Sequence, residues 1–231
     1  MKNIVRFEIN KRLDFKNHSI GIKYRKKFLK GSQFFNYYKK LAKAKNEKKK
    51  WEIFNKETAR FYDKKRKFYR DLIVRQTQEL WNNVELKYIS TLEKIHQKKF
   101  PYKRIFGILS TAGRFGYNTD NKWFACPYDS PVRAVDTAMH EMMHFIFHKY
   151  FFNAWQKRFS LTYNQIWTIK EAVTVILNSE CNQIRFNADM GHPGHENLRE
   201  KIKKDWLKYK DFEIVLNRAC EHVKNNKLFV K

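Results

Sequence analysis

Residues 134–150, AVDTAMHEMMHFIFHKY, limit what this chain can fold into more than any other stretch. The run is apolar nearly all round. Ala134, Ala138, Met142 and Phe145 fall on one side of a helix and Met139, Met143 and Phe147 on another, the pattern of a buried helix. Set into it are His140, Glu141 and His144, an HExxH spacing. Residues four apart stand one turn up and nearly in line, so both imidazoles can face one ion. Buried polar groups without partners cost several kcal/mol, and a single metal ion would satisfy all of these at once. Zinc used for hydrolysis takes three protein ligands and keeps a fourth position for water. It lowers the pKa of that water towards ~7, and a neighbouring glutamate can take the proton. The expectation is a metal-site helix, with His140 and His144 as zinc ligands and Glu141 as general base.

At 231 residues and 42% hydrophobic composition, the chain can build one domain with an appendage or two small ones. The pattern divides it into a basic, largely helical region, 1–98, and a region 99–231 that holds the HEMMH helix and C-terminal helices. No apolar run follows Met1-Lys2, and none reaches the ~18 residues of a membrane span. Cys126, Cys181 and Cys220 are odd in number and far apart, so they form neither a disulfide framework nor a CxxC metal pair. A cytoplasmic, reduced protein is the default expectation. The formal charge of +26 is uneven: residues 1–100 hold 29 Lys/Arg against 10 Asp/Glu, whereas residues 101–200 hold 11 against 9. Such a basic block is the footprint for nucleic acid or another polyanion. Coding bias towards Lys, Asn, Ile, Phe and Tyr would produce the same excess.

In chain order, residues 1–30 alternate weakly and read as a short hairpin or an irregular arm. Gly31-Ser32 starts a helix over 33–45, with Ser32 as N-cap. The charged run 43–50 reads as solvated or as a linker. From Trp51 to about Lys98 the apolar spacing is helical, giving one very long helix or two with an uncapped break near 75–78. Its second half, near 77–98, is placed to pack behind a sheet. RIFGILS (104–110), GRFGYN (113–118) and KWFACPY (122–128) then predict two or three antiparallel strands. Ser130 caps the metal-site helix and Pro131 opens it. The fold class expected is therefore α+β and mostly helical, with a small antiparallel sheet. After a loop over 151–160, residues 163–180 form the next helix, with Glu171 among its apolar positions. Two amphipathic helices, broken near Lys210-Asp211, end the chain. His96 and His222 carry no chemistry in this reading.

With Glu171 lying 27 residues beyond His144, the sequence over roughly 100–180 resembles the gluzincins, the thermolysin-like zinc metallopeptidases. The layout of a helix, a small sheet and an HExxH helix is that of a zincin half-domain. The resemblance implies a peptide or protein substrate, Zn2+ held by His140, His144 and Glu171, and Glu141 as base. An edge strand, KWFACPY or GRFGYN, would pair with the substrate. The chain departs from the family at Lys170, where the family has Asn, and at Val175, where it has the aspartate that orients a ligand histidine. Thr174 or Asn178 would have to take over that hydrogen bond.

The loop 187–197, NADMGHPGHEN, offers His192 and His195. His195, with His192 behind it, is the candidate donor to a transition-state oxyanion. Either histidine could instead be the third ligand, a three-histidine site resembling the DNA-associated SprT-like proteases. His148, eight residues beyond His140, has drifted ~80° around the helix and either belongs to the surroundings of the site or faces solvent. The reading reached is a zinc peptidase, against the rival of a polyanion- or nucleic-acid-binding helical protein whose HEMMH is structural. Oligomeric state is not legible.

Overall fold

A computed structural model describes residues 3–22, 33–113, 115–192 and 194–226. The expected Ser32 cap lies outside them. The chain forms two compact units, Met1–Asn83 with Arg104–Ala138, and Val84–Lys103 with Met139–Lys231.

The first unit holds β1 (Val5–Glu8), α1 (Lys11–Gly21), α2 (Gln33–Lys43), α3 (Glu47–Tyr62) and the start of α4 (Lys67–His96). It also holds β2 (Ile105–Ser110), β3 (Tyr117–Asn118), β4 (Trp123–Pro127) and the start of α5 (Pro131–Phe147). The N-terminal arm is thus a strand and a helix rather than a hairpin. Asn10 caps α1 by accepting from the Leu13 N–H, and Gly21 ends it against α2, where a Cβ would stand 2.7 Å from the Tyr38 ring. The charged run 43–50 is mostly not a linker, because Asn46 caps α3 through the Lys49 N–H at 2.9 Å.

The sheet corrects the antiparallel expectation. Its order is β1-β2-β4-β3, with β1/β2 and β2/β4 parallel and only β3/β4 antiparallel. The physical reason is burial. Ile105, Ile108 and Leu109 of β2 and all of β4 are buried, and continuous apolar runs suit parallel strands covered on both faces. KWFACPY therefore supplies an interior strand, not an edge. Tyr117–Asn118 of GRFGYN forms one edge and β1 the other. On β1, the Gln78 side chain accepts from the Phe7 N–H at 2.9 Å and donates to the Val5 carbonyl at 3.2 Å, occupying groups that an open edge would expose. Phe7 also meets Trp81 and Phe124 edge-on, each at 6.2 Å, so this part of α4 does back the sheet.

The break in the long helical run falls at 63–66, not at 75–78. Asp63 accepts from the Lys65 N–H at 2.8 Å, and Arg70 donates to the Phe61 and Asp63 carbonyls left open at the end of α3. Nothing at 75–78 competes with the helix, and α4 runs straight through.

The second unit holds the rest of α4 and α5, a π-helical segment His148–Phe152, α6 (Asn153–Arg158) and α7 (Tyr163–Ala172). A 3₁₀ turn Val173–Ile176, α8 (Leu177–Glu180), α9 (Glu196–Tyr209) and α10 (Phe212–Asn225) complete it. The loop expected over 151–160 is mostly helical, because Phe151, Phe152 and Trp155 are buried side chains that hold the chain in register. The helix expected over 163–180 opens with a Thr162–Gln165 capping box, then tightens at Val173 and changes register. The break between the last helices is where expected: Lys210 is left-handed at φ 50° and Asp211 caps α10. His96 is a core residue, packed on Phe151 and Phe212 with Nδ1 hydrogen-bonded to the Leu92 carbonyl at 2.8 Å. Among the described residues, no helix is long and apolar enough to cross a membrane.

Candidate metal centre

Ser130 and Pro131 start α5 as the sequence suggests, the Ser130 hydroxyl accepting from the Arg133 N–H at 3.3 Å. From that start the 3.6-residue repeat carries His140 and His144 onto one line, and their Nε2 atoms face each other at 2.9 Å. Glu171, the next-to-last residue of α7, brings Oε2 to 3.5 Å from His140 Nε2 and 3.3 Å from His144 Nε2. Among the described residues these three form the one His/Cys/Asp/Glu group whose ligand atoms all lie within 4.8 Å of one another.

The three atoms fit a metal ion. A circle through them has a radius of about 1.9 Å, just below the zinc–ligand distance of about 2.0–2.2 Å. All three can therefore bond one ion without moving apart. Two nitrogens and one oxygen, with the histidines neutral and the carboxylate ionised, is also a donor set zinc accepts.

The surroundings hold two of the three candidate ligands, His140 and Glu171, in place. Asp189 Oδ1 accepts from His140 Nδ1 at 3.0 Å, which turns the Nε2 lone pair of a neutral ring towards the other two atoms. Arg199 in turn donates to Asp189 Oδ2 at 3.2 Å, to the Asp189 carbonyl at 2.5 Å and to Thr174 Oγ1 at 3.0 Å. The Asn178 amide brackets the Asp189 backbone, accepting from its N–H at 2.6 Å and donating to its carbonyl at 3.0 Å. Gly191 at φ 67° is required here, since a Cβ would stand 2.4 Å from the Arg199 guanidinium. Thr174 and Asn178, expected to orient a ligand histidine themselves, instead hold the residues that do.

On the other side, fully buried Lys170 places Nζ 2.6 Å from Glu171 Oε1, leaving Oε2 as the oxygen nearest the imidazoles.

The electrostatics separate the two histidines. Burial opposes charge on His140, but its hydrogen bonds to Asp189 and Glu171 outweigh this and raise its pKa to about 10 in the metal-free chain. Burial, reinforced by the charge of Lys170, drops His144 to about 3. Burial lifts Glu141 to about 7 against the pull of His140. Glu141 Oε2 is buried with no hydrogen-bond partner. Glu171 and Asp189 stay well below the usual carboxylate range despite burial, Glu171 through His144 and Lys170 and Asp189 through His140.

The remaining histidines stand outside the three-atom group. His192 and His195 pack on Trp167, one turn before Glu171, at 5.9 and 6.2 Å between ring centroids. His195 is buried, its Nδ1 has no hydrogen-bond partner, and burial lowers its pKa. His148 stacks on Phe152 at 4.5 Å, and His222 lies by Asn226 on α10.

Asp189, Arg199 and Lys170 were not foreseen as parts of this arrangement. Asp189 is 49 residues from His140 in an irregular loop, where periodicity carries no information. Its one signal was an aspartate inside the Gly/Pro-rich run already singled out for its histidines. No family model, no curated protein and no solved structure matches this chain.

Proposed function

We propose that the chain is a zinc-dependent peptidase of the zincin type, cleaving peptide bonds with Glu141 as general base. The observation that carries this is the convergence of His140 Nε2, His144 Nε2 and Glu171 Oε2 on one point, next to a buried glutamate with a free carboxylate oxygen. Zinc, when bound, supplies Lewis acidity to a carbonyl oxygen and lowers the pKa of water towards about 7. Glu141 takes the proton of the attacking water at Oε2 and passes it to the leaving amine, a task suited to a carboxyl held near 7. Asp189 does from the loop what the gluzincin aspartate does from the position of Val175, fixing the His140 ring. Lys170 holds Glu171 through Oε1. His195 is the donor to the oxyanion on the carbonyl carbon. The basic residues of 1–100 would draw acidic substrates or nucleic acid towards the chain.

The test pairs metal analysis with hydrolysis of an unfolded protein such as casein. Wild type carries one zinc per chain and cleaves, whereas Glu141→Gln keeps the zinc and loses cleavage. Equal cleavage by Glu141→Gln would end the peptidase reading.

A second reading has its own observation, a His140 imidazolium held between Asp189 and Glu171 as a metal-free charge cluster. Wild-type protein that takes up no zinc would favour it.

A further inference from the structure

Within the first unit, α1, α2, α3 and the turn after β2 surround a cavity of about 370 Å³, inside the range of about 300–1,000 Å³ usual for small-ligand pockets. Its inner wall has polar atoms that the fold leaves unused. Asp14, fully buried, accepts from Tyr62 Oη, Thr111 Oγ1 and Ser110 Oγ at 2.8, 2.8 and 2.5 Å. Since the Thr111 hydroxyl gives its hydrogen to Asp14, His18 Nε2–H is the donor to Thr111 Oγ1 at 2.9 Å. That tautomer makes His18 Nδ1 an acceptor, and it is buried with no hydrogen-bond partner. The Tyr37 hydroxyl on the same cavity is also buried with none. Buried polar atoms are nearly always satisfied, so two orphan atoms on residues that line one cavity point to a ligand that brings both a donor and an acceptor.

The outer part has a different character. Phe34 and Tyr69, both substantially exposed, present rings there, with Tyr128 deeper against Phe61 at 4.5 Å between centroids. Arg60 and Arg66 add two positive charges, against Glu57 alone on the acidic side. Two arginines against one glutamate and one imidazole acceptor make a poor site for a metal cation. A simple anion would use the arginines and leave both the rings and the two orphan atoms idle. An aromatic heterocycle with a phosphate uses all of them: rings for stacking, His18 and Tyr37 for the heteroatom edge, arginines for the phosphate.

We propose that this cavity binds a nucleoside phosphate, either free or as one base of a single strand. The site is independent of the candidate metal centre, and its test does not rely on peptidase activity. Calorimetry on the full chain would use AMP, CMP, GMP and UMP in turn, inorganic phosphate, and a mixed-sequence single-stranded decamer. At least one mononucleotide is expected to saturate at one per chain and to bind more tightly than phosphate. The double variant Arg60→Ala/Arg66→Ala should weaken it by about tenfold or more, since each charged hydrogen bond accounts for about that factor. Tyr37→Phe should weaken it by about three- to tenfold. It removes a buried hydroxyl that bonds nothing in the fold, so its unfolding temperature should not fall. A decamer that binds where mononucleotides do not, with the same losses in both variants, would make a strand the source. Three results would each overturn the proposal: no saturable nucleotide binding, binding unaffected by both variants, or phosphate binding as well as any nucleotide.

Discussion

The two units each bury a histidine–carboxylate cluster, and the clusters behave differently. In the first unit Asp14 draws its hydrogen bonds from neutral hydroxyls, those of Tyr62, Ser110 and Thr111, with His18 Nε2 at 3.5 Å. Burial is the main influence on that histidine and lowers its pKa. In the second unit the acceptors Glu171 and Asp189 bracket His140, and two imidazole nitrogens face one another. There Lys170 and Arg199 face the two carboxylates, and two imidazole nitrogens converge with Glu171 Oε2 at distances that one metal ion could span. The clusters share histidine and carboxylate and differ in their donors: hydroxyls around Asp14, but Lys170, Arg199 and an imidazole around Glu171 and Asp189.

Asp14→Ala should have the largest effect on the first cluster. Three hydroxyl donors lose their acceptor in a buried site, so the variant should lose about 3–5 kcal/mol in urea unfolding. The folded fraction should keep its zinc content. Zinc loss would mean that the two clusters are not independent.

A third buried histidine, His96, has no carboxylate at all, and burial lowers its pKa to about 4. Between pH 6.5 and 4 the unfolded chain binds a proton that the folded chain refuses. Stability should therefore fall on acidification through that window, by about 3 kcal/mol in all. His96→Leu should flatten this slope in urea titrations run from pH 7 to 4.5. An unchanged slope would assign the acid sensitivity elsewhere.

Asp189→Asn keeps the shape of the loop but weakens the acceptor for His140. It should lower zinc affinity about 10- to 100-fold, measured by competition with a chelator. Unaltered affinity would mean that the ring needs no help in staying oriented. The smallest effect tests only the helix carrying Glu171: Thr162→Ala removes one half of its capping box and should cost about 1 kcal/mol, with zinc retained.

Legibility followed the range of the interactions. His140 and His144 share a face because of helix geometry, and an apolar surround buries them; both features are local, and both could be read from 134–150. The cap at Ser130 and the break at Lys210-Asp211 were similarly plain. The break at Asp63 was missed because one side chain accepting from Lys65 outweighed a continuous apolar stripe. The parallel pairing of β2 with β4 was missed although its signal was present: IFGILS and WFACP are continuous rather than alternating runs.

What the sequence alone determined is a buried helix with two in-line imidazoles and a glutamate beside them, because periodicity and side-chain chemistry act within a few turns. It also placed Glu171 on a following helix. Only the tertiary structure decided that Asp189 fixes the His140 ring, that Arg199 and Asn178 hold Asp189, and that Lys170 engages the other oxygen of Glu171. Except for Lys170, these partners lie far along the chain from His140, Asp189 by 49 residues and Arg199 further still, where no local repeat constrains the spacing. They are selected by the need to satisfy charge in a largely buried site.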